Sequence, residues 1–537
     1  MDFSKEQPVV FNPRDRAHRR RLWVRVAAPE GFYYHVFWKR IAVVLVALAV
    51  AGWLALAGAA WGYLKFRRDY DGVRYLDLGF YPWRRTQHQI GLGHHYIAAG
   101  RAAWERQAYR EAYLLLLAGL ARVPDDTSGR RYLAIIESRI GRPERALQTL
   151  IAGAQQARGD FDYMSLLFSM LLEAQEDERV ISLARELLPA VPDGTRVNQL
   201  IALQAATAHY HRGRIAEVER IVAEWRLQKH LEAQILLARC EWESGRREEA
   251  VARLERAVPA FPRRDELYVE LVRLNRELGR PAESRRYALL RQFNNPGSAG
   301  ARIDLLHTYR LSGDAAAERR ELAAYLAAFA KDQAGLVLLA WFAVDTAQPE
   351  LAERAYALAQ ESKLALPVFT LARVQACLAA KDYARALALT DPSARPGIDP
   401  GPMAVLLGAL RALALFGSGD AARGQVALNA FLEAPRIRAN DLLLVARQLK
   451  ALGQAAPARR TLARACELDP RNEPALAELV RLDSEAGDRV ALAENLPRLL
   501  GLRQHHRATL ESTLRMLNEP GDEPLRRQIE AALARID

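Results

Sequence analysis

Cysteine is almost missing: Cys240, Cys377 and Cys466 are the only three in 537 residues. They are odd in number and far apart, and no C-x-x-C occurs, so a zinc ribbon or a redox dithiol has no support. They are expected to be small buried apolar side chains. Lysine is scarce as well, with eight among 76 basic residues. That skew toward Arg, together with abundant Ala, points to a GC-rich bacterial source. Long Thr/Val/Ile alternations are missing, and aromatics make up only 8% of the chain, so extended sheet is not expected. No H-E-x-x-H, P-loop, G-x-S-x-G or Gly-rich loop after a strand occurs. No catalytic residue and no cofactor is therefore expected. His88 with His94-His95, and His505-His506, are the local His clusters, and they read as polar helix positions. A metal needs three or four convergent ligands, and no metal site is predicted.

What the chain does contain is Ala, Leu, Arg and Glu, which are strong helix formers. A compact domain runs to about 100–200 residues, so 537 residues predict several domains or a repeat array. The expected class is all-α, with one apolar exception.

The net charge of +12 raises nucleic-acid binding as an option, but the excess is localised. Residues 1–40 carry +5, residues 41–64 carry no charge and residues 65–92 carry +3, which leaves +4 for the long remainder. Most of the excess flanks the apolar stretch, as membrane topology and anionic lipid would explain. No nucleic-acid partner is expected.

Ile41–Leu64 reads IAVVLVALAVAGWLALAGAAWGYL. As a helix it would be about 36 Å long, enough to cross a hydrocarbon core of roughly 30 Å. Lys39 and Arg40 precede it, and Lys65, Arg67 and Arg68 follow. Phe32, Tyr33, Tyr34, Phe37 and Trp38 before it, with Trp61 and Tyr63 near its end, resemble an aromatic belt. A cleaved signal peptide has a short basic region and an apolar core of about 7–15 residues. This core is longer, and 40 residues precede it. A single transmembrane helix is expected. The short tail with Arg14, Arg16, Arg19, Arg20, Arg21 and Arg25 favours a cytoplasmic N-terminus, because long domains translocate largely regardless of charge. Lys65, Arg67, Arg68 and Arg74 argue locally for the opposite orientation.

Self-similarity is the strongest signal in the chain. Tyr109–Pro124, Gly245–Pro262 and Gly453–Pro470 align, each with a small residue followed twelve positions later by Pro: Ala112 to Pro124, Ala250 to Pro262, Ala458 to Pro470. The spacing recurs at Val180 to Pro192 and Ser284 to Pro296. This pattern resembles the tetratricopeptide repeat (TPR) family, a helix–turn–helix unit of 34 residues. The family's turn position is Gly here at Gly141, Gly245, Gly279, Gly313, Gly453 and Gly487. Units start near residues 93, 127, 161, 199, 231, 265, 299, 333 and 367, and after a Pro/Gly-rich break near 405, 439, 473 and 507. Small residues such as Ala238, Ala250 and Ala257 let paired helices approach, and neighbours must stack because one pair cannot bury its own apolar face. The resemblance implies a right-handed superhelical solenoid of TPR-like helix pairs, preceded by one transmembrane helix. The expected division is a basic tail 1–40, a membrane helix 41–64, a juxtamembrane linker 65–92, a first arm 93–390, a break 391–404 and a second arm 405–537.

In the family, positions 2, 5, 9, 12 and 13 of the first helix line an inner groove. Position 9 is Arg101, Arg239, Arg273, Arg447, Arg481 and Arg515, with His307 at the same place; position 12 adds Trp104, Trp242, Arg276, Arg310 and Lys450. Stacked repeats would turn these into a basic, partly aromatic stripe, and a planar guanidinium suits carboxylates and aromatic faces. Each Arg could equally pair with a groove Glu such as Glu105, Glu243, Glu277 or Glu485 at position 13. No unit has the Lys at 5 and Asn at 9 with which some family members clamp a peptide C-terminus. The resemblance implies a scaffold for protein partners; the arginine positions point to acidic segments, and the apolar stretch with its basic tail to a single-pass protein of a bacterial inner membrane with its repeats in the periplasm. It would help assemble a secretion, pilus or polysaccharide-type envelope complex. The alternative is a cytoplasmic-facing adaptor that recruits a soluble enzyme to the membrane.

Overall fold

The computed structural model describes residues 22–28, 31–67, 70, 72–391, 402–435, 437–503, 507–518 and 520–536. Two compact units divide the chain, residues 1–167 and 168–537.

The first unit opens with a departure from the all-α expectation. Strands β1 (Trp23–Ala28) and β2 (Gly31–Val36) form an antiparallel hairpin in which Trp23 faces Val36 and Arg25 faces Tyr34. The run W-V-R-V alternates, and G-F-Y-Y-H-V is rich in the aromatic and β-branched side chains that suit a pleated surface. Trp23 meets Tyr34 edge-on at 5.3 Å, and the Arg25 guanidinium covers the Phe32 ring at 3.0 Å. Charge in this tail masked a strand pattern only six residues long.

Helix α1 (Trp38–Gly62) follows and runs on through a wider turn to Arg67. It is long and apolar enough to cross a membrane, and little of it is covered by the protein. The described residues of 65–92, expected to be a linker, are mostly helical: α2 (Tyr75–Gly79) is followed directly by α3 (Tyr81–Glu105), which is kinked at Arg84 and starts twelve residues ahead of the first repeat register. The extra turns, W-R-R-T-Q-H-Q, carry no 3.6-residue apolar stripe, so periodicity does not reveal them.

From α3 onward the described residues form thirteen helix pairs. A backbone mark fixes their phase. The residue that ends the first helix has positive φ at Gln107, Gly141 and Gln175, then at Gly213, Gly245, Gly279, Gly313, Ala347 and Lys381, and then at Gly419, Gly453 and Gly487. Those positions are the fifteenth residues of the expected units. Gly reaches this left-handed conformation without a Cβ penalty, whereas a side chain pays about 1–2 kcal/mol. Gln107, Gln175, Ala347 and Lys381 adopt it all the same, so packing of the pair overrides the local preference. In the last pair, Gly521 lies inside a short 3-10 turn, Pro520–Asp522, and its φ is not positive.

Several second helices start from a side-chain cap that accepts a backbone N–H: Asp314, Asp382, Asp420 and Asp488 cap Ala317, Arg385, Arg423 and Ala491. Inside the pairs the small residues are fully buried, with Ala112, Ala250 and Ala458 at 0% exposure. Cys240, Cys377 and Cys466 are buried free thiols in the same packing layers. Burial pushes the Cys240 thiol up to about 12 and that of Cys466 to about 11, so neither is a ready nucleophile.

Most of the Pro/Gly-rich break, residues 392–401, lies outside the described residues. The stack continues across it: Arg411 of helix Pro402–Gly417 donates to the Leu387 carbonyl of helix Tyr383–Leu389 at 3.2 Å.

Winding of the second unit returns its last pairs to its first. Arg503 donates to the Asp177 carboxylate at 2.9 and 3.0 Å. Arg212 donates to the carbonyls of Gly501 and Leu502 at 2.7 and 2.8 Å, and Arg471 to that of Ala174 at 2.8 Å. Burial lifts the Asp177 carboxyl, but bonds from His211 and Arg503 outweigh that and hold it below the usual range. These contacts join residues nearly 300 apart or more, beyond the reach of any local pattern.

Candidate functional site

The expected groove positions do converge, in several separate clusters. In the second unit, Tyr210, Arg239, Trp242, Glu243, Glu270, Arg273 and Glu277 line one recess of about 390 Å³. They come from the first helices of three successive pairs, Arg196–His211, Leu231–Glu243 and Asp265–Glu277. Glu270 is at its centre. It accepts from Arg239 of the preceding pair and from Arg273 on its own helix, the latter at 2.8 and 3.0 Å. Arg273 also reaches Glu277 at 2.7 Å. Burial pushes the Glu270 carboxyl up, yet the two guanidinium groups outweigh it and hold it below the usual carboxylate range.

The same design recurs near the C-terminal end. Glu478 on helix Glu473–Glu485 accepts from Arg481 at 2.5 Å, faces Lys450 at 3.5 Å and Arg447 at 3.9 Å. Lys450 also faces Glu485 at 3.7 Å. Burial raises the Glu478 carboxyl, and Arg481, Lys450 and Arg447 more than reverse it.

Between these clusters the groove register changes character. His307 packs edge-on against Phe342 at 4.7 Å, with Nε2 3.9 Å from Asp345. Burial, reinforced by Arg276, pushes its imidazole down to about 4. Arg310 pairs with Glu318 at 3.2 Å and donates to the Thr346 carbonyl. Arg515 is exposed and donates to the Glu511 carbonyl at 3.2 Å.

In the first unit the corresponding residues are aromatic-centred. Arg101 covers Tyr132 at 5.3 Å. Trp104 stacks near Tyr109 and Tyr132 and is covered by Arg139 at 4.6 Å.

Position 13 supplies pairing through Glu277 and Glu485, and Glu243 lines the recess. The central acceptors, Glu270 and Glu478, stand at position 6 and were not anticipated. A signal was available: the pentapeptide E-L-V-R-L occurs at both places, Glu270–Leu274 and Glu478–Leu482. Its Glu and Arg are three residues apart on one helix face, the spacing of a side-chain pair. Among the described residues no group of three or more His, Cys, Asp or Glu is arranged to hold a metal ion.

No family model and no curated protein matches the chain. Solved structures that resemble it include Naa15/Naa10 bound to HypK-THB, at 15% identity over 91% of this chain and 75% of that one, with a TM-score of 0.32. The APC/C hetero-tetramer Cut9–Hcn1 is 12% identical over 71% and 95%, with a TM-score of 0.21. A tetratricopeptide repeat protein from Parabacteroides merdae is 14% identical over 53% and 98%, with a TM-score of 0.29. Superposition is partial in every case, and the repeat assignment stands on the helix pairs and their phased turns.

Proposed function

We propose that the chain is a single-pass membrane scaffold whose TPR-type right-handed superhelix holds protein partners by acidic segments. The observation that carries this reading is the sequence of parts: one exposed apolar helix, then helix pairs whose groove positions gather cations around too few carboxylates at one end. Such a surface favours an anionic, extended partner, and association would be steered by charge. The basic tail stays in the cytoplasm of a bacterial cell, and the repeats are exported to the periplasm. There they would hold components of an envelope complex near the inner membrane.

Two measurements test this. The intact protein should stay in the membrane pellet after alkaline carbonate washing, and a variant lacking residues 41–64 should not. Alkaline phosphatase fused after Asp537 should be active in a bacterial host. Activity only from a cytoplasmic reporter at that site would overturn the orientation and leave the cytoplasmic adaptor, which Lys65, Arg67 and Arg74 favour.

A further inference from the structure

The chain leaving α1 does not run away from it. Residues 73–80 turn back and pack along its last third. The Trp61 indole donates to the Val73 carbonyl at 3.2 Å, and the Trp53 indole to the Gly79 carbonyl at 2.6 Å. In return the Tyr75 hydroxyl donates to the Leu54 carbonyl at 3.0 Å. Ala57 is the one described residue of α1 that becomes buried, and a Cβ on Gly58 would lie 3.7 Å from the Tyr75 ring.

Length then decides where this returning segment must lie. A helix needs about 20 residues to cross a core of roughly 30 Å. Counted from Ile41, the first residue after Lys39 and Arg40, the crossing reaches Ala60. Ending the membrane at Trp53 would leave Trp38–Trp53, about 24 Å of helix, which is too short. Leu54–Ala60 therefore sits inside the leaflet on the C-terminal side, and the segment packed against it sits at the same depth.

The segment is built for that depth. Non-helical backbone in an apolar medium is tolerated only when its polar groups are satisfied. The carbonyls of Val73, ahead of α2, and of Gly79, its last residue, are each satisfied by an indole of α1. Leu76, Phe80 and Trp83 recur at helical spacing and are 55%, 50% and 82% exposed. Asp77 does not stand alone: Arg84 binds it at 3.0 Å. A long Arg stem can follow apolar surface while its head reaches the headgroups.

We infer that residues 73–83 form a re-entrant element of the membrane anchor, with Leu76, Phe80 and Trp83 against the acyl chains of the leaflet on the C-terminal side. The inference rests on the membrane-spanning reading of α1. The element gives the anchor a second foothold and sets α3 off from the membrane at a defined place.

The test uses the full chain reconstituted in phosphatidylcholine–phosphatidylglycerol vesicles, with its three native cysteines replaced by Ala. Single substitutions Leu76→Cys, Phe80→Cys, Val46→Cys and Ile140→Cys each carry a polarity-sensitive fluorophore. All four positions are exposed on the protein, so folding is little disturbed. Val46 reports the span and Ile140 the water-facing repeats. Doxyl lipid should quench positions 76 and 80 to within about twofold of Val46, with iodide quenching about threefold weaker than at Ile140. If Val46 is quenched by lipid while 76 and 80 behave like Ile140, the re-entrant element is overturned and the span survives. The element is overturned in the same way if 76 and 80 are shielded from both quenchers, which would mean that protein rather than lipid covers them. If Val46 itself is not quenched by lipid, the span fails and takes this inference with it.

Discussion

The charge clusters around Glu270 and Glu478 use the same pentapeptide and reach different results. In both, E-L-V-R-L sets a Glu–Arg pair on one helix face, and cations from the preceding pair lean onto the same carboxylate. At Glu270 two arginines, Arg239 and Arg273, meet Glu270 and Glu277, and Glu243 lines the same recess. At Glu478 three cations, Arg447, Lys450 and Arg481, share Glu478 and Glu485. The Glu270 side chain is 9% exposed and its bonds are short; that of Glu478 is 22% exposed, and Arg447 stays 3.9 Å away. The first cluster is an internal joint between neighbouring pairs. The second keeps an unbalanced positive charge at the surface. The two clusters thus differ in their ratio of cations to carboxylates, not in the pentapeptide they share.

Removing the central carboxylate should give the largest effect and should separate the two clusters. Glu270→Ala strands two guanidinium groups that are 37% and 49% exposed. Breaking a fully buried pair costs about 3–5 kcal/mol, and this partial exposure brings the expectation to roughly 2 kcal/mol. Glu478→Ala should cost about 1 kcal/mol or less, since its cations can turn to Glu485 or to water. A repeat array need not unfold in one step, so the measurement is hydrogen exchange in the helices Asp265–Glu277 and Glu473–Glu485. Equal loss of protection at the two sites would erase the distinction.

Much of the architecture was legible in the sequence, because each unit repeats the same physical needs. Ala112, Ala250 and Ala458 had to be small, Gly245 and Gly453 had to turn, and the register of thirteen units followed. It extends even to Ala347 and Lys381, where the turn persists without Gly. The hairpin Trp23–Val36 was missed because a six-residue alternation inside a basic tail is a weak signal. The early start of α3 was missed because its first turns lack an apolar stripe. The clustered residues at positions 9 and 12 were singled out from the family resemblance and its register. Their partners at position 6 were not, since these become neighbours only once adjacent pairs are stacked. The contacts of Arg503 with Asp177 and of Arg212 with Gly501 depend on how far the whole second unit winds, which no local pattern encodes.

His307 occupies the register position of Arg239 and Arg273 one unit further on, and it should respond to pH where they do not. Its folded imidazole is pushed down to about 4 by burial and by Arg276, against about 6.5 when unfolded. The unfolded chain therefore binds a proton that the folded chain refuses. Stability from this site is complete above about pH 6.5 and is lost as pH falls toward 4, by at most roughly 3 kcal/mol. Glu270, whose folded carboxyl lies below its unfolded value, loses its share only as pH falls below about 4.5. His307→Gln should flatten the pH 6.5–4 part of the stability profile of the surrounding helices and leave the more acidic part in place. Asp345 faces the ring, and burial holds its carboxyl up, so neutralising that acid with Asp345→Asn should preserve the slope. An unchanged profile in His307→Gln would mean the imidazole titrates normally.

The smallest change in stability is expected where the charge excess should matter most for binding. Arg447 is 55% exposed with its nearest carboxylate at 3.9 Å, and Arg515 holds a backbone carbonyl on its own helix. Reversing both to Glu removes little that the fold uses, and surface substitutions of this kind fall within about 0.5 kcal/mol. Arg481 is left in place because its 2.5 Å bond to Glu478 pairs it with a carboxylate on its own helix. A fluorescent peptide of alternating Glu and Ser serves as a defined acidic probe. The double reversal should weaken its capture about tenfold, with the wild-type affinity itself falling at high salt as the Debye length shrinks from about 10 Å at 0.1 M. Reversing Arg239 and Arg273 instead should locally unfold the helix Asp265–Glu277, since both arginines close on the buried Glu270. If the probe binds the Arg447/Arg515 variant as tightly as wild type while that variant stays folded, the excess charge at Glu478 does not serve recognition, and both clusters are joints.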